Sequence, residues 1–181
     1  MIKEGSKQSF GFVEEAVRKR KFGVLGVVDS KGRPHSTGIM YGVSHPDSEF
    51  ALYVITQAKA AKVRHIKKNQ EVSLTVTFPH YYLRFVPDSY VMFRGTADFV
   101  PLDDEDVQWA FQRASLQVDS EAMHDLVVIR IRPRKTVYVY GLGIGMNQLR
   151  KDPTSARYKV TIPSERLVSP EVVQVIARRN A

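Results

Sequence analysis

The 181-residue sequence contains no cysteine. Disulfide bonds, thiolate metal ligands and a cysteine nucleophile are therefore excluded, because each of them requires a thiol. No apolar run approaches the length that crosses a bilayer, and residues 1–10 lack the apolar block of a secretory signal. We therefore expect a cytoplasmic protein that has no membrane partner and whose chemistry does not involve thiols.

The formal net charge of +8 attracts anionic partners such as nucleic acid, membrane surfaces and phosphorylated small molecules. A nucleic-acid reader usually presents basic residues interleaved with aromatic residues on one face, or a recognisable motif. The basic residues here are spread over several segments instead. We therefore expect a small molecule as the partner, and no nucleic acid.

Length and composition favour a single domain, 1–181, because 43% hydrophobic residues can form a substantial core. We expect the core to cover about 10–142 and a carboxyl-terminal extension to cover 143–181. Alternation of apolar and polar residues predicts six or seven strands, and the clearest is 71–78. The other predicted strands cover 22–29, 33–43, 50–56, 90–100, 126–132 and 136–142.

Helices are expected between some of these strands. Ser9 followed by Phe12, Val13, Ala16 and Val17 predicts a helix over 9–20 with Ser9 as its N-cap. Two more helices are predicted over 57–69 and from the acidic run 103–106 to about 117, and a last amphipathic stretch covers 170–178. This order predicts a mainly β, antiparallel barrel with inserted helices rather than a doubly wound parallel sheet.

Neither the histidines nor the glycines form a recognisable ligand motif. The histidines lack the spacing of a metal site, so we interpret them as surface or loop residues and expect no metal; they are His35, His45, His65, His80 and His124. The glycines of 141–145 follow a strand, but the third one comes a residue too early for a dinucleotide loop, and no convincing helix follows. We interpret this segment as a turn.

The segment 56–62 combines a strand end with two lysines. Thr56 is predicted to cap the following helix, which places Lys59 and Lys62 in the first turn, where the helix dipole is already positive. A phosphate held by backbone N–H groups, a hydroxyl and a lysine would compensate this charge. Solvated lysines explain the pattern equally well.

The order of these segments resembles the pyridoxamine 5′-phosphate oxidase-like family over roughly 10–100. The resemblance is carried by Gly32-Arg33-Pro34 at the start of a strand, by 53–56 at the end of the next, and by Lys62, Ile66 and Asn69. It implies a split β-barrel of the FMN-binding type. It further implies a homodimer with FMN in a groove at the subunit interface, and redox chemistry on a small organic substrate through FMN.

The resemblance also implies cofactor-binding residues. Lys62 resembles the family's phosphate-binding lysine, and Thr56 and Gln57 resemble the polar pair at the strand end that contacts the cofactor. The strand along which the isoalloxazine ring lies corresponds to Ser36, Thr37, Gly38 and Ile39. The family's glutamine that reaches FMN from the partner subunit falls at about Tyr90.

Several positions depart from the family pattern. Thr37 stands in place of an arginine, residues 60–61 replace a Ser-Arg pair, and 165–168 does not match the substrate signature of the true oxidase. We therefore expect fewer protein contacts to the phosphate of the cofactor, and a substrate other than pyridoxamine phosphate. Members of the family also bind F420 or haem, so both cofactors, and a non-catalytic binding role, remain alternatives. The aromatic loop 81–85 is expected to form a wall over the ring or to pack in the dimer interface.

Overall fold

The computed structural model describes residues 8–80, 87–114 and 125–167. Within them the fold is mainly antiparallel β. The elements in chain order are α1 (Phe10–Arg18), β1 (Phe22–Val28), β2 (Pro34–Met40), β3 (Gly42–Val43), β4 (Leu52–Gln57), α2 (Ala61–Ile66), β5 (Glu71–Phe78), β6 (Ser89–Val100), α3 (Glu105–Ala114), β7 (Leu126–Pro133), β8 (Thr136–Tyr140), α4 (Met146–Lys151), β9 (Arg157–Thr161) and a short 3₁₀ helix (Ser164–Arg166).

The described strands form one sheet in which every pairing is antiparallel. The order is β2-β1-β5-β6-β7-β4-β3, with β8 beside β6 and β9 beside β8. The sheet curls so that β2 and β4 have Cα atoms within 8 Å of each other, although they share no ladder. The predicted split barrel is therefore confirmed, and the split lies between β2 and β4.

The barrel interior is filled by alternate residues of the strands. In β5 the predicted alternation is observed, with Val72, Leu74, Val76 and Phe78 buried. Two helices add apolar side chains to the same core: α1 contributes Phe10, Val13 and Val17, and α2 contributes Val63 and Ile66. Burial of a side chain of this size contributes about 1.5–3 kcal/mol. Both helices are thus held to the barrel by their apolar faces.

Two helix starts and one turn follow the sequence-based predictions. The Ser9 hydroxyl accepts a hydrogen bond from the Phe12 N–H at 3.3 Å and caps α1. The Asp104 carboxylate accepts from the N–H groups of Asp106 and Val107 at the start of α3. In the β1–β2 hairpin, hydrogen bonds from Arg33 lower the pKa of the Asp29 carboxyl to about 2.

Two predicted elements differ from the structure. The strand 33–43 is broken at Tyr41, whose N–H donates to the Lys21 carbonyl and whose hydroxyl donates to the Val17 carbonyl. The helix 57–69 is shorter and begins after Ala60, so the prediction that Thr56 caps it is wrong. Thr56 remains in the ladder with β7, opposite Val127, because that pairing holds the backbone extended.

The chain beyond 142 adds to the sheet. The glycine segment is a turn, with φ of 72° at Gly141 and 75° at Gly143, but a helix, α4, does follow it. Strand β9, which was not predicted, pairs with β8 over five positions. Val160 and Ile162 are buried in the main core, so the core of the described chain extends past residue 142.

β6 is the longest of the described strands, and two other strands pair with the same edge of it. It pairs with β5 along one side. On the other side, residues 90–92 pair with β8 and residues 95–100 pair with β7. The four residues 134–137 lie opposite the two residues Phe93 and Arg94, so the β7–β8 segment bulges there. Next to the bulge the sheet is tight, because a Cβ on Gly95 would lie 2.0 Å from the Arg132 carbonyl oxygen.

No helix in the described part of the chain is long and apolar enough to cross a membrane. The aromatic loop 81–85, the end of the predicted helix at 115–117 and the amphipathic stretch 170–178 lie outside the described residues.

Gly95 and Gly11 allow the same substitution to be tested in two surroundings. Gly95→Ala is expected to lower the free energy of unfolding by about 1–3 kcal/mol or more, because its methyl group meets backbone atoms that cannot move away. Gly11→Ala, in α1 with open space around it, is expected to raise that free energy by up to about 1 kcal/mol. Urea unfolding at one protein concentration measures both, and equal effects would contradict the tight packing at Gly95.

Candidate functional site

Lys62 and Thr56 form a polar contact at the split of the barrel. Thr56 lies on the inner side of β4 with Leu52 and Val54, since alternate residues of a strand share a face. The Lys62 ammonium, in the first turn of α2, donates to the Thr56 hydroxyl oxygen at 3.1 Å. Both side chains are partly buried, and within the described ranges Lys62 has no carboxylate partner. The structure therefore places a positive charge and a hydroxyl proton where an anion can bind.

The position of Lys62 depends on the packing of α2. Val63 and Ile66 are 1% and 0% exposed and fix the helix to the barrel core. The helix has six residues and no side-chain cap. Its dipole therefore contributes less to anion binding than that of the longer predicted helix, 57–69, would. Lys59 lies before the helix and is exposed. The predicted accumulation of charge in a first turn is thus confirmed for Lys62 and wrong for Lys59.

The segment around α2 is strongly basic. No aspartate or glutamate occurs from 50 to 70, and this stretch contains Lys59, Lys62, Arg64, Lys67 and Lys68. β2, on the other side of the split, has no acidic residue either. A surface with one sign of charge raises the local concentration of oppositely charged molecules, so the split attracts anions.

β2 forms one margin of the split. Ser36, Thr37, Gly38 and Ile39 pair with β1 from Gly26 to Gly23. Ile39 is buried and Thr37 is partly exposed on the inner side, whereas Ser36 and Gly38 are exposed on the outer side, where the Phe22 ring lies over Gly38. Among the described strands β2 pairs with β1 alone, so its other edge presents backbone N–H and C=O groups to a ligand.

Gln57 and Tyr90 are not brought to this contact. Gln57 is exposed and, next to Thr56 on the strand, points to the opposite face. Tyr90 lies on β6, three strands away from β2 in the sheet order, and stacks on Tyr140 with 5.4 Å between ring centroids. It borders a separate concavity of about 410 Å³ together with Tyr138, Arg157 and Lys159. Within one chain, Tyr90 and Lys62 therefore belong to different surfaces.

Two histidines that were interpreted as unrelated surface residues meet at the split. His35 on β2 and His65 on α2 have ring centroids 5.5 Å apart and planes inclined by 59°. They are thirty positions apart in the sequence, so spacing could not reveal the pair. Their ring contact joins α2 to β2, whereas the hydrogen bond of Lys62 joins α2 to β4.

A cavity of about 330 Å³ lies beyond the end of β2, between α1, β3 and α3. Its basic lining residues are Arg18, Lys19, Arg20 and Arg113, and its aromatic ones are Tyr41 and Trp109. Arg18 is bound by Glu14 and the Ser44 carbonyl, and Lys19 by Glu15. Arg20 and Arg113 instead lie over the rings of Phe78 and Trp109, each at 5.3 Å. The cavity is therefore positively charged.

The walls of this cavity are fixed by packing. Gly42 lies against the Ala110 carbonyl, where a Cβ would come within 2.6 Å of the oxygen. The Trp109 ring contacts the ring of His45 at 4.4 Å. Burial raises the pKa of the Tyr41 hydroxyl. Trp109 and Arg113, one helical turn apart on α3, were not predicted as site residues, and their i, i+4 spacing was the available signal.

Comparison with known proteins identifies the family. The model of pyridoxamine 5′-phosphate oxidase matches residues 11–140. The chain belongs to this family. A comparison with curated protein sequences finds no match.

Several solved structures share the fold. HutZ, a haem storage protein from Vibrio cholerae, is 20% identical with a TM-score of 0.55, and the match covers 75% of this chain and 97% of HutZ. A haem-binding protein from Mycobacterium smegmatis is 16% identical, with a TM-score of 0.58 and coverage of 81% and 54%. A proposed pyridoxamine 5′-phosphate oxidase from Listeria innocua is 16% identical, with a TM-score of 0.55 and coverage of 71% and 95%. At these identities the likeness concerns the fold alone.

Proposed function

We propose that this member of the family binds FMN in a groove of a homodimer and acts as an oxidoreductase on a small organic substrate. The observation that carries the proposal is the contact of Lys62 with Thr56 at the split, in a segment with no acidic residue. When bound, FMN would supply the hydride or electron transfer, and the protein would supply orientation and electrostatics.

The residues at the split fit the phosphate of FMN. A phosphate monoester is a dianion with several acceptor oxygens. Lys62 offers a charged donor, and the Thr56 hydroxyl, which accepts from Lys62, keeps its own proton for a further bond. Charge-assisted hydrogen bonds of this kind are among the stronger ones in proteins. Lys62 and Thr56 would hold the phosphate, and the free edge of β2, from Ser36 to Ile39, would face the flavin ring.

A homodimer would complete this groove. Tyr90 lies on the outer face of the sheet, three strands from β2, so it can reach a flavin on β2 only from a second copy. The outer face of β1 and β2 is also apolar, with Phe22, Val24 and Met40 exposed by 53%, 37% and 44%. Phe22 lies opposite Met40 and Val24 opposite Gly38. A continuous apolar surface of this kind is typical of an interface.

The basic cavity at the end of β2 would bind the substrate. Tyr41 and Gly42 follow β2 directly in the chain, so the cavity adjoins the strand proposed to carry the flavin ring. Arg20 and Arg113 have no carboxylate partner in the part of the chain that the structure describes. These two guanidinium groups favour a small substrate that carries a carboxylate or phosphate.

Haem is the second candidate ligand. HutZ and the Mycobacterium smegmatis protein are named for haem storage and haem binding. In this chain the pair His35–His65 offers imidazole nitrogens, which are common haem ligands. Haem held at this pair would place the protein among storage or binding modules rather than redox enzymes on small substrates. F420 remains a third cofactor to be tested on the same barrel.

The absorption spectrum of the purified protein separates these candidates. We expect two flavin bands, and we expect release of the ligand by heat and chromatography to yield FMN. A single deazaflavin band would indicate F420, and a Soret band would indicate haem. A protein that is colourless and does not take up added FMN would contradict the proposed function.

Lys62 tests the position of the phosphate. Lys62→Ala is expected to weaken FMN binding by about 1.5–3 kcal/mol, which is the usual contribution of a hydrogen bond to a charged group. Lys68→Ala, on an exposed lysine of the same segment, is the matched control and is expected to change the affinity by less than about 0.5 kcal/mol. Flavin-fluorescence titration measures both affinities, and an unchanged affinity in Lys62→Ala would place the phosphate elsewhere.

Phe22 tests the proposed dimer interface. Phe22→Glu is expected to shift the protein from dimer to monomer at micromolar concentration, because a carboxylate in an apolar interface loses its hydration without gaining a partner. The control is Phe99→Glu, at a phenylalanine that is 36% exposed beside Lys67, away from the β1–β2 face. Light scattering after size-exclusion chromatography gives the masses. A monomeric wild type, or a dimeric Phe22→Glu variant, would contradict the proposed interface.

A further inference from the structure

The imidazoles of His35 and His65 are open to solvent and have no hydrogen-bond partner among the described residues. The two rings contact each other, with 5.5 Å between centroids. Of the described residues, none donates to or accepts from a ring nitrogen of either one. His45 and His80, by contrast, have ring nitrogens within hydrogen-bond distance of Asp47 N and Ser89 Oγ. The pair therefore has donors available for a ligand.

The backbone places these donors around the same opening as Lys62. His65 follows Lys62 by three residues, so the two side chains lie on one side of α2. His35 lies on the inner side of β2 with Thr37, because residues two apart on a strand share a face. α2 thus reaches β4 through Lys62 and Thr56, and reaches β2 through His65 and His35.

The charge of the neighbourhood decides which kind of ligand this opening accepts. The segment 50–70 and strand β2 contain no carboxylate. Glu71, which lines a concavity together with His35, is paired with Arg134 at 2.7 Å. The described residues hold no group of three or more potential metal ligands. A cation would meet Lys62 and the other basic residues of α2 without compensation. An anion with several acceptor oxygens would be bound by an ammonium, a hydroxyl and two imidazole N–H groups.

We infer that His35 and His65 form the second half of a phosphate clamp whose first half is Lys62 and Thr56. This inference rests on the proposed function, because it takes the phosphate to be that of FMN. The histidines would then make the site selective for a phosphorylated flavin over riboflavin, which has the same ring and no phosphate. They bind and position the cofactor, and they take no part in the redox step.

Replacement of each histidine by phenylalanine tests the clamp, because phenylalanine keeps the aromatic contact and removes the N–H donor. His35→Phe and His65→Phe are each expected to raise the Kd for FMN by about two- to tenfold, the usual effect of one lost hydrogen bond. The Kd for riboflavin is expected to stay unchanged, which also shows that the groove is folded. His80→Phe is the matched control and is expected to leave both values unchanged.

The two flavins separate failure of the clamp from failure of the proposed function. If wild type and Lys62→Ala both bind FMN no more tightly than riboflavin, the proposed phosphate site is wrong. If Lys62→Ala loses the preference for FMN but both phenylalanine variants keep it, the proposed function stands and the clamp is overturned.

A measurement on the wild type covers the case in which a variant fails to fold. The chain has five histidines, and nitrogen–proton correlation spectra of their side chains can be recorded with each flavin. We expect the ring resonances of His35 and His65 to shift with FMN and not with riboflavin. Equal shifts with both flavins, or none, would overturn the clamp.

Discussion

Two side chains, Val63 and Ile66, anchor α2 in the barrel core, and the polar site depends on them. A helix of six residues is not stable by itself, because nucleation costs more than a few hydrogen bonds return. Burial of the two side chains contributes about 1.5–3 kcal/mol each and holds α2 on the barrel, where it packs against β1. The charged and imidazole groups of α2 are therefore positioned by the barrel core, not by the helix itself.

β2 connects the two basic regions of the molecule. His35 stands near its start and Tyr41 just beyond its end, so the strand extends over about 20 Å at the usual rise per residue. An anion at the split and a second one in the cavity lined by Arg20 and Arg113 would lie at opposite ends of this strand. The free edge between them suits an elongated, flat molecule with a charged end, and this shape agrees with the proposed cofactor.

The sequence predicted those parts that depend on local pattern. Strand β5 was predicted with its bounds, because strict alternation over eight residues has no other explanation. Ser9 and the acidic start of α3 were recognised from capping chemistry. The capping role of Thr56 was wrong because the ladder with β7 outweighs the local preference of a threonine. β9 was missed although Tyr158, Val160 and Ile162 alternate with the polar Lys159 and Thr161, since the pattern is short and lies in a tail that mixes Gly, Pro, Lys and Arg.

The remaining features depend on contacts between distant segments. The ring contact of His35 with His65 and the cavity between Arg20 and Arg113 require the closed barrel, so no local pattern contains them. The family resemblance did supply Lys62 and Thr56, which the structure brings together. The resemblance also indicated Tyr90, but within one chain Tyr90 lies on a different surface from Lys62.

The strand β9 shows how the margin of this sheet can accept an addition. The family match ends at Tyr140, the last residue of β8, and α4 and β9 follow it. Because β9 pairs with β8 alone among the described strands, it forms a margin of the sheet, away from the ladders around the split. An edge can accept such an addition with little disturbance to the interior, since new backbone hydrogen bonds form there and none is broken. β9 places Arg157 and Lys159 beside Tyr90, so substitutions in this strand can change the surface offered to a second molecule without changing the residues at the split.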